Sequence, residues 1–140
     1  MLLYLDTNVL LDYLLGRKNV YGKDIGEPIF QLFTDTVNCK HYVIISTWML
    51  EEASKQVVLE SAELLFNFLG KKLVKVEYSE HDLELAKKQN PDHFQDELHG
   101  ILALNAGADC IVTRDIGGFR QFTGKIEVKK PEWLLQSNSF

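Results

Sequence analysis

Features of secreted, membrane-spanning and disordered proteins are scarce in this sequence. It has two cysteines, Cys39 and Cys110, which lie far apart and in apolar surroundings. Such a pair favours buried free thiols in a reducing cytoplasm over a disulfide. No apolar run approaches the ~20 residues of a membrane-spanning helix. With 46% hydrophobic residues the chain is not typical of disorder, and we expect one cytoplasmic domain over residues 1–140.

An excess of basic charge, which is usual in proteins that bind nucleic acids, is also missing. The chain carries 15 Lys and Arg against 20 Asp and Glu, a net charge of -5. This balance argues against broad electrostatic binding of DNA or RNA. It does not exclude an enzyme whose acidic residues are gathered around divalent metal ions, because a bound metal restores part of the positive charge.

Apolar runs and turn residues alternate along the chain in a pattern that predicts strands and helices in turn. Strands are predicted at residues 2–6, 42–46, 73–77, 109–113 and 125–128. Helices are predicted at about residues 8–15, 28–38, 59–69, 80–89 and 93–106, with two more that begin near 47 and 131. This alternation is typical of an α/β domain, a three-layer sandwich in which helices flank a central, mostly parallel sheet of about 4–5 strands.

Acidic residues stand near the ends of the predicted strands, where ligands of open parallel sheets bind. Asp6 ends the first strand, Glu52 lies in the helix after the second, and Asp115 follows the fourth. Asp96 lies in the first turn of the helix that leads to the fourth strand. We therefore expect four acids from distant segments to meet at one edge of the sheet.

A cluster of carboxylates predicts a divalent cation. Carboxylates within a few ångströms of one another repel and raise each other's pKa, and a cation between them relieves that repulsion. All-oxygen ligands indicate Mg²⁺ or Mn²⁺, as one ion or two, and not zinc with its preference for Cys and His. A metal held in this way lowers the pKa of a bound water and stabilises the attacking and leaving oxygens of a phosphodiester.

The ordered set of motifs resembles the PIN-domain superfamily and, within it, the VapC-like ribonucleases of bacteria and archaea. The resemblance covers essentially the whole chain. Its motifs are Asp6-Thr7-Asn8 after an apolar strand, Ile44-Ile45-Ser46 six positions before Glu52, Asp96-Glu97-Leu98, Gly107-Ala108-Asp109, Ile111-Val112-Thr113-Arg114-Asp115 and Pro131-Glu132-Trp133-Leu134. It implies a metal-dependent endoribonuclease that acts on RNA. It further implies the toxin of a toxin–antitoxin pair, with an antitoxin as partner and a homodimer as the assembly.

The resemblance also assigns roles to single residues. Four acids would bind the metal directly or through water: Asp6, Glu52, Asp96 and Asp115. Asn8 and Thr113 would orient carboxylates or the metal-bound water by hydrogen bonds. Ser46 would be a supporting or structural residue. The metal-bound water would attack the phosphorus in line and leave a 5′-phosphate and a 3′-hydroxyl.

One motif departs from the pattern of many relatives. In those relatives an acid stands three positions after an Asn, whereas here Gly118 occupies the place of that acid. Asp115 supplies a carboxylate at the earlier position, where other relatives also have an acid. The resemblance therefore leaves the number of metal ions open. The glycine-rich stretch at residues 16–26 also looks longer than in compact relatives, and the sequence predicts no role for it.

Several of these residues have a structural alternative. Asp6 could serve only as a helix N-cap, and Asp96 only as a complement to the helix dipole. Glu51 competes with Glu52, and the six-residue spacing after Ser46 favours Glu52. His99 lies three residues after Asp96 and could contact the substrate or a metal-bound water, although a surface or satisfied histidine is the favoured interpretation.

Two other classes of function stay open. A PIN-like module without catalysis would serve RNA processing or assembly, but the presence of all four acids counts against it. The other class is a different α/β phosphate chemistry, such as a receiver domain or a haloacid-dehalogenase-like phosphatase. The latter needs a second Asp two residues after its nucleophile, and Asn8 stands there instead.

Overall fold

The computed structural model describes residues 1–38 and 40–137; Cys39, for which the sequence predicts a buried thiol, lies outside them. Five strands are described: β1 (Leu2–Leu5), β2 (Tyr42–Ser46), β3 (Leu73–Val76), β4 (Cys110–Val112) and β5 (Glu127–Lys129). The α-helices are α1 (Thr7–Leu14), α2 (Glu27–Val37), α3 (Thr47–Ala53), α4 (Glu63–Leu69), α5 (Glu80–Gln89), α6 (Phe94–Asn105) and α7 (Pro131–Ser137). Short 3-10 helices lie at Leu59–Ala62, Gly70–Lys72, Pro91–His93 and Gly117–Phe122.

The five strands form one parallel sheet in the order β3-β2-β1-β4-β5. β1 is central, since Leu3 pairs with Val43 on one side and with Cys110 on the other. Because all of these strands run in one direction, their carboxyl ends lie along the same edge. The predicted α/β sandwich is confirmed, and within residues 1–38 and 40–137 the sheet is wholly parallel.

Alternate side chains along each strand fill two separate cores, one on each face of the sheet. Leu3 and Leu5 pack on one face with residues such as Phe33 of α2. Tyr4 packs on the other face with residues such as Leu102 of α6. Because both faces of the sheet are buried, the sequences of its strands are nearly continuous apolar runs.

Most predicted elements are confirmed within about two residues, and their caps are visible in the sequence. Ser79 begins α5 in a capping box with Asp82, and Gly107 follows α6 with a φ of 71°, a left-handed conformation that favours glycine. The predicted helix at residues 59–69 is instead a 3-10 helix followed by α4. The 3-10 helix at Gly117–Phe122 was not predicted, because two successive glycines do not favour a helix.

The other expectations drawn from composition concern Cys110 and the membrane. Cys110 is buried and free, and burial raises the pKa of its thiol to about 12, so it is not a reactive thiolate. Of the helices that the structure describes, none combines the length and the apolarity that a membrane crossing needs.

A candidate metal centre at the carboxyl edge of the sheet

Asp6 follows the central strand and is nearly buried, with 6% of its surface exposed. It occupies the N-cap position of α1, yet its side chain makes no capping hydrogen bond. Its Oδ2 instead accepts a hydrogen bond of 3.0 Å from Thr113 Oγ1. Burial raises the pKa of Asp6, although the neighbouring His99 and the hydrogen bond from Thr113 act in the opposite direction. The carboxylate therefore belongs to the edge of the sheet and not to the helix cap.

Glu52 of α3 is fixed by a partly buried hydrogen-bond network. Its Oε1 accepts a hydrogen bond of 2.6 Å from Thr7 Oγ1 and lies 2.6 Å from Nε2 of His99. Burial raises the pKa of Glu52, but the hydrogen bond and charge of His99 outweigh it and hold that pKa below its ordinary value. Because an ionised carboxylate only accepts hydrogen bonds, His99 must donate from Nε2.

His99 also connects Glu52 to the central strand through a hydrogen bond with Tyr4. It lies on α6 with 1% of its surface exposed, and its Nδ1 is 2.7 Å from the hydroxyl of Tyr4. Nδ1 and that hydroxyl therefore form a buried hydrogen bond. Tyr4 also hydrogen-bonds Ser46 Oγ at 2.8 Å, and burial raises the pKa of its phenol, so it stays protonated. One chain of hydrogen bonds thus connects β2, β1, α6 and Glu52.

The three polar residues expected to support the acids differ in what they touch. Ser46 begins α3 by accepting a hydrogen bond of 3.1 Å from the backbone of Met49. Thr113 Oγ1 donates to Asp6 and accepts from the backbone N–H of Asp115 at 3.0 Å, so it connects two of the acids. Asn8 is exposed in the cleft that Asp6 also lines, and its Oδ1 accepts a hydrogen bond of 3.4 Å from the guanidinium of Arg17.

Asp96 and Asp115 face one another across Gly118. Asp115 Oδ1 accepts a hydrogen bond of 3.0 Å from the backbone of Gly118. Asp96 is half-buried and accepts no hydrogen bond from the residues that the structure describes. Burial, together with the charge of Asp6, raises the pKa of Asp96 to about 6. Its negative charge is therefore poorly compensated by the protein alone.

Asp96 lies between two adjoining clefts. Side chains that line the first include Asp6, Asn8, Glu52, Lys55, Gln56 and Asp96. Side chains that line the second include Asn90, His93, Asp96, Asp115 and Gln121. Because Asp96 lines both, the four predicted acids border one continuous region at the edge of the sheet.

The chemistry of this donor set fits a hard divalent cation. The available donors are carboxylate oxygens, which Mg²⁺ and Mn²⁺ prefer. Within residues 1–38 and 40–137, no three Asp, Glu, His or Cys side chains already stand in a metal-binding arrangement. Asp96 nevertheless lacks a hydrogen-bond donor, and a cation beside it would supply the missing charge. Asp6, Asp96 and Asp115 are the residues that could hold such an ion, with Glu52 beside them.

Of the two neighbouring glutamates, Glu52 is the one in the cleft. Glu51 is exposed, and its two carboxylate oxygens each lie 2.8 Å from the hydroxyl of Tyr78. The six-residue spacing after Ser46 therefore selects the glutamate that lines the cleft.

Two arginines near the cleft have structural contacts that the sequence did not reveal. Arg114 reaches Asp12 at 3.2 Å, Glu132 at 2.6 Å and the carbonyl of Ile25 at 2.7 Å, so it joins α1 to α7. Arg17 contacts Asp12 at 3.3 Å. These partners occupy both guanidinium groups with protein contacts.

The glycine-rich stretch at residues 16–26 forms a folded-back loop. An antiparallel bridge joins Lys18 to Asp24, and Val20 and Tyr21 between them are more than nine-tenths exposed.

Comparison with known proteins establishes the fold. No protein-family model matches the chain, and no curated protein is significantly similar to it in sequence. Four chains of solved structures match it. One comes from the crystal structure of VapBC2 from Rickettsia felis bound to a DNA fragment from its promoter, with a TM-score of 0.55 and 17% identity over 93% of this chain and 98% of that chain. The chain therefore has a VapC-like PIN fold, as its motifs predict.

Proposed function

We propose that this chain is a metal-dependent nuclease that hydrolyses RNA phosphodiester bonds at Asp6, Glu52, Asp96 and Asp115. The observation that carries the proposal is that these carboxylates, from four separate segments, border two adjoining clefts at the carboxyl edge of a parallel sheet. The VapC-like fold supports the same conclusion.

The proposed roles follow from what each carboxylate contacts. Asp6, Asp96 and Asp115 would hold Mg²⁺ or Mn²⁺ directly or through water. When bound, one ion or two would activate a water and balance the charge of the phosphodiester. Thr113 keeps Asp6 and Asp115 in place through its two hydrogen bonds.

Glu52 is suited to orient the attacking water and to take up its proton. Burial raises the pKa of Glu52, but His99 lowers it by more, so the carboxylate is ionised at neutral pH. Thr7 and His99 hold Oε1, and Oε2 accepts no hydrogen bond from the described residues. Oε2 is therefore free to accept a hydrogen bond from water, and Asn8 in the same cleft would help to orient that water.

RNA is the proposed substrate, and hydrolysis would leave a 5′-phosphate and a 3′-hydroxyl. We further propose that the chain is a toxin that pairs with an antitoxin and forms a homodimer. The VapBC2 assembly of the structural neighbour supports a protein partner of this kind.

The test is cleavage of total cellular RNA by the purified protein with Mn²⁺ or Mg²⁺. Wild type is compared with Asp6→Asn and Asp96→Asn, and Asp92→Asn serves as a control at an exposed acid outside both clefts. We expect metal-dependent cleavage that falls by about 100-fold or more in the two site variants, the upper end of the losses seen when residues around a metal are replaced. Absence of metal-dependent cleavage in wild type, or unchanged activity in both site variants, would contradict the proposal.

A further inference from the structure

Gly118 stands where a side chain would collide with two of the proposed metal ligands. A methyl group at this position would lie 2.5 Å from Oδ2 of Asp115 and 2.7 Å from Oδ2 of Asp96. Both distances are far below the ~3.5 Å of an ordinary nonbonded contact. The two carboxylate oxygens thus approach one another through space that only glycine leaves open.

The backbone gives no other reason for a glycine here. The positive-φ glycines that the structure describes are Gly16, Gly22, Gly70 and Gly107. Gly118 is not among them, so its conformation is open to other residues. The position therefore requires glycine because glycine has no side chain, and not because of its backbone conformation.

We propose that Gly118 is a positioning residue of the metal site. By leaving this space empty, it lets the carboxylates of Asp96 and Asp115 stand close enough to share a divalent cation. The inference rests on the proposed function, since it concerns the same carboxylates.

A side chain at position 118 would disturb the carboxylates more than the fold. The atoms it meets first are the ends of two aspartate side chains, which can rotate away about their χ angles. Gly100 shows the opposite case, because a methyl group there would overlap the ring of Phe122 in the core. Replacement of Gly118 should therefore separate the two carboxylates at little cost in stability.

The same geometry explains why this chain carries its fourth carboxylate at position 115. A side chain at 118 would begin in the space that Oδ2 of Asp115 occupies. Carboxylates at 115 and 118 are therefore alternatives, and an acid added at 118 would displace Asp115 instead of adding a ligand.

Gly117 provides a matched control in the same 3-10 helix. A methyl group at Gly117 would lie 3.8 Å from Oδ1 of Asp115, an ordinary contact. Gly117→Ala thus makes the same chemical change one residue away and leaves the carboxylates undisturbed.

The experiment measures Mn²⁺ binding by isothermal titration calorimetry and ion-free melting by circular dichroism. Four proteins are compared: wild type, Gly118→Ala, Gly117→Ala and Asp96→Asn. We expect Gly118→Ala to weaken Mn²⁺ binding by about tenfold or more, as replacement of a residue that supports a ligand does. Gly117→Ala should stay within about twofold of wild type, and neither alanine should lower the ion-free melting temperature by more than a few degrees.

A double-mutant cycle separates positioning from a general structural role. If Gly118 acts through Asp115, the Gly118→Ala change should weaken Mn²⁺ binding less in an Asp115→Ala background than in wild type, because one of the two colliding oxygens is then gone. Equal costs in both backgrounds would contradict the inference.

The remaining outcomes distinguish this inference from the proposed function. If wild type binds Mn²⁺ and Asp96→Asn does not, equal affinity in Gly118→Ala and Gly117→Ala overturns the role of Gly118 and leaves the proposed function standing. A Gly118→Ala protein that melts far below Gly117→Ala also overturns it, because the collision would then fall on the fold. Failure of wild type to bind Mn²⁺ overturns both.

Discussion

The two halves of the proposed metal site differ in how firmly the protein holds them. Asp6 and Glu52 accept hydrogen bonds from the buried side chains of Thr113, Thr7 and His99. On the other side of the cleft, Asp96 accepts none from the described residues, and Asp115 accepts one from a backbone amide. Buried side chains hold the first half in place, whereas a single backbone hydrogen bond holds the carboxylates of the second among the described residues.

This difference indicates what each half contributes. The firmly held half fixes the direction of Glu52 and keeps it ionised, which suits a group that orients and deprotonates water. The open half keeps an uncompensated negative charge at Asp96, so a cation has most to gain there. Four experiments separate these contributions, and the expected change decreases from replacement of Glu52 to replacement of Lys55.

Replacing Glu52 should have the largest effect within the firmly held half. Glu52→Gln removes the proposed proton acceptor, and cleavage should fall by about 100-fold or more, as for loss of a general base. Glu51→Gln is the matched control, since Glu51 is the adjacent exposed acid that contacts Tyr78. Single-turnover RNA cleavage measures both. Equal activity of the two variants would show that Glu52 has no special place in the reaction.

Replacing His99 tests whether the network acts through Glu52. His99→Phe keeps an aromatic ring but removes the hydrogen bonds that His99 forms with Glu52 and with the Tyr4 hydroxyl, so cleavage should fall by about tenfold. The free energy of unfolding should fall by about 1–3 kcal/mol, as for buried polar groups left unsatisfied.

His99→Gln keeps a donor and an acceptor and should recover part of the lost cleavage. The two variants are compared by cleavage kinetics and urea unfolding. If the glutamine variant is as inactive as the phenylalanine variant while being more stable, His99 does not position Glu52.

Asp96, in the less firmly held half of the site, should make the ion-free protein less stable as pH rises. The pKa of Asp96 in the folded state is about 6, above its ordinary value of 3.8, because of burial and the charge of Asp6. Between these values the folded protein binds more protons than the unfolded chain, so this contribution to stability falls as pH rises and stays low above pH 6. Asp96→Asn does not titrate and should therefore melt a few degrees above wild type at about pH 7.5, with the difference vanishing near pH 4.

Melting curves without metal and with Mn²⁺ measure this effect. Added Mn²⁺ should raise the melting temperature of wild type and not that of Asp96→Asn, which reverses their order at neutral pH. A difference in melting temperature that stays constant from acidic to neutral pH would mean that the pKa of Asp96 is not raised in the folded protein.

Lys55 should have the smallest effect, on substrate binding. It lies in the first cleft with Asp6 and Glu52, where its charge can meet an RNA phosphate. An exposed ion pair contributes about 1 kcal/mol or less, so Lys55→Ala should raise KM for RNA by about fivefold at most, with kcat unchanged. Lys71→Ala is the control, since Lys71 precedes β3 at the opposite edge of the sheet. A matching rise in KM in both variants would contradict a specific contact.

The placement of Asp6 and Asp115 was predictable because strand ends are predictable. A short apolar run followed by Asp6 predicts a strand that stops at the acid, and a parallel sheet gathers such ends along one edge. The choice of Glu52 over Glu51 followed from spacing, and the structure places Glu52 in the cleft.

The network behind the acids was not predictable from spacing. His99 lies three residues after Asp96, which places it near that acid on the helix surface but does not reveal its partners. Its contact with Tyr4 depends on how α6 packs on β1, two elements far apart in sequence. The role of Gly118 likewise depends on distances to two side chains, and the sequence shows only that an expected acid is missing.

The chemical nature of the RNA ends produced by cleavage reports what attacked the phosphorus, and it therefore tests whether this site hydrolyses RNA with a metal-activated water. Purified wild type is incubated with an end-labelled RNA, with Mn²⁺ or with EDTA, beside Asp96→Asn. If water bound at this carboxylate site attacks, the products carry 5′-phosphate and 3′-hydroxyl ends, and they appear only with the metal and only in wild type. Products with 2′,3′-cyclic phosphate ends, formed equally in EDTA and in Asp96→Asn, would contradict metal-dependent hydrolysis at this site.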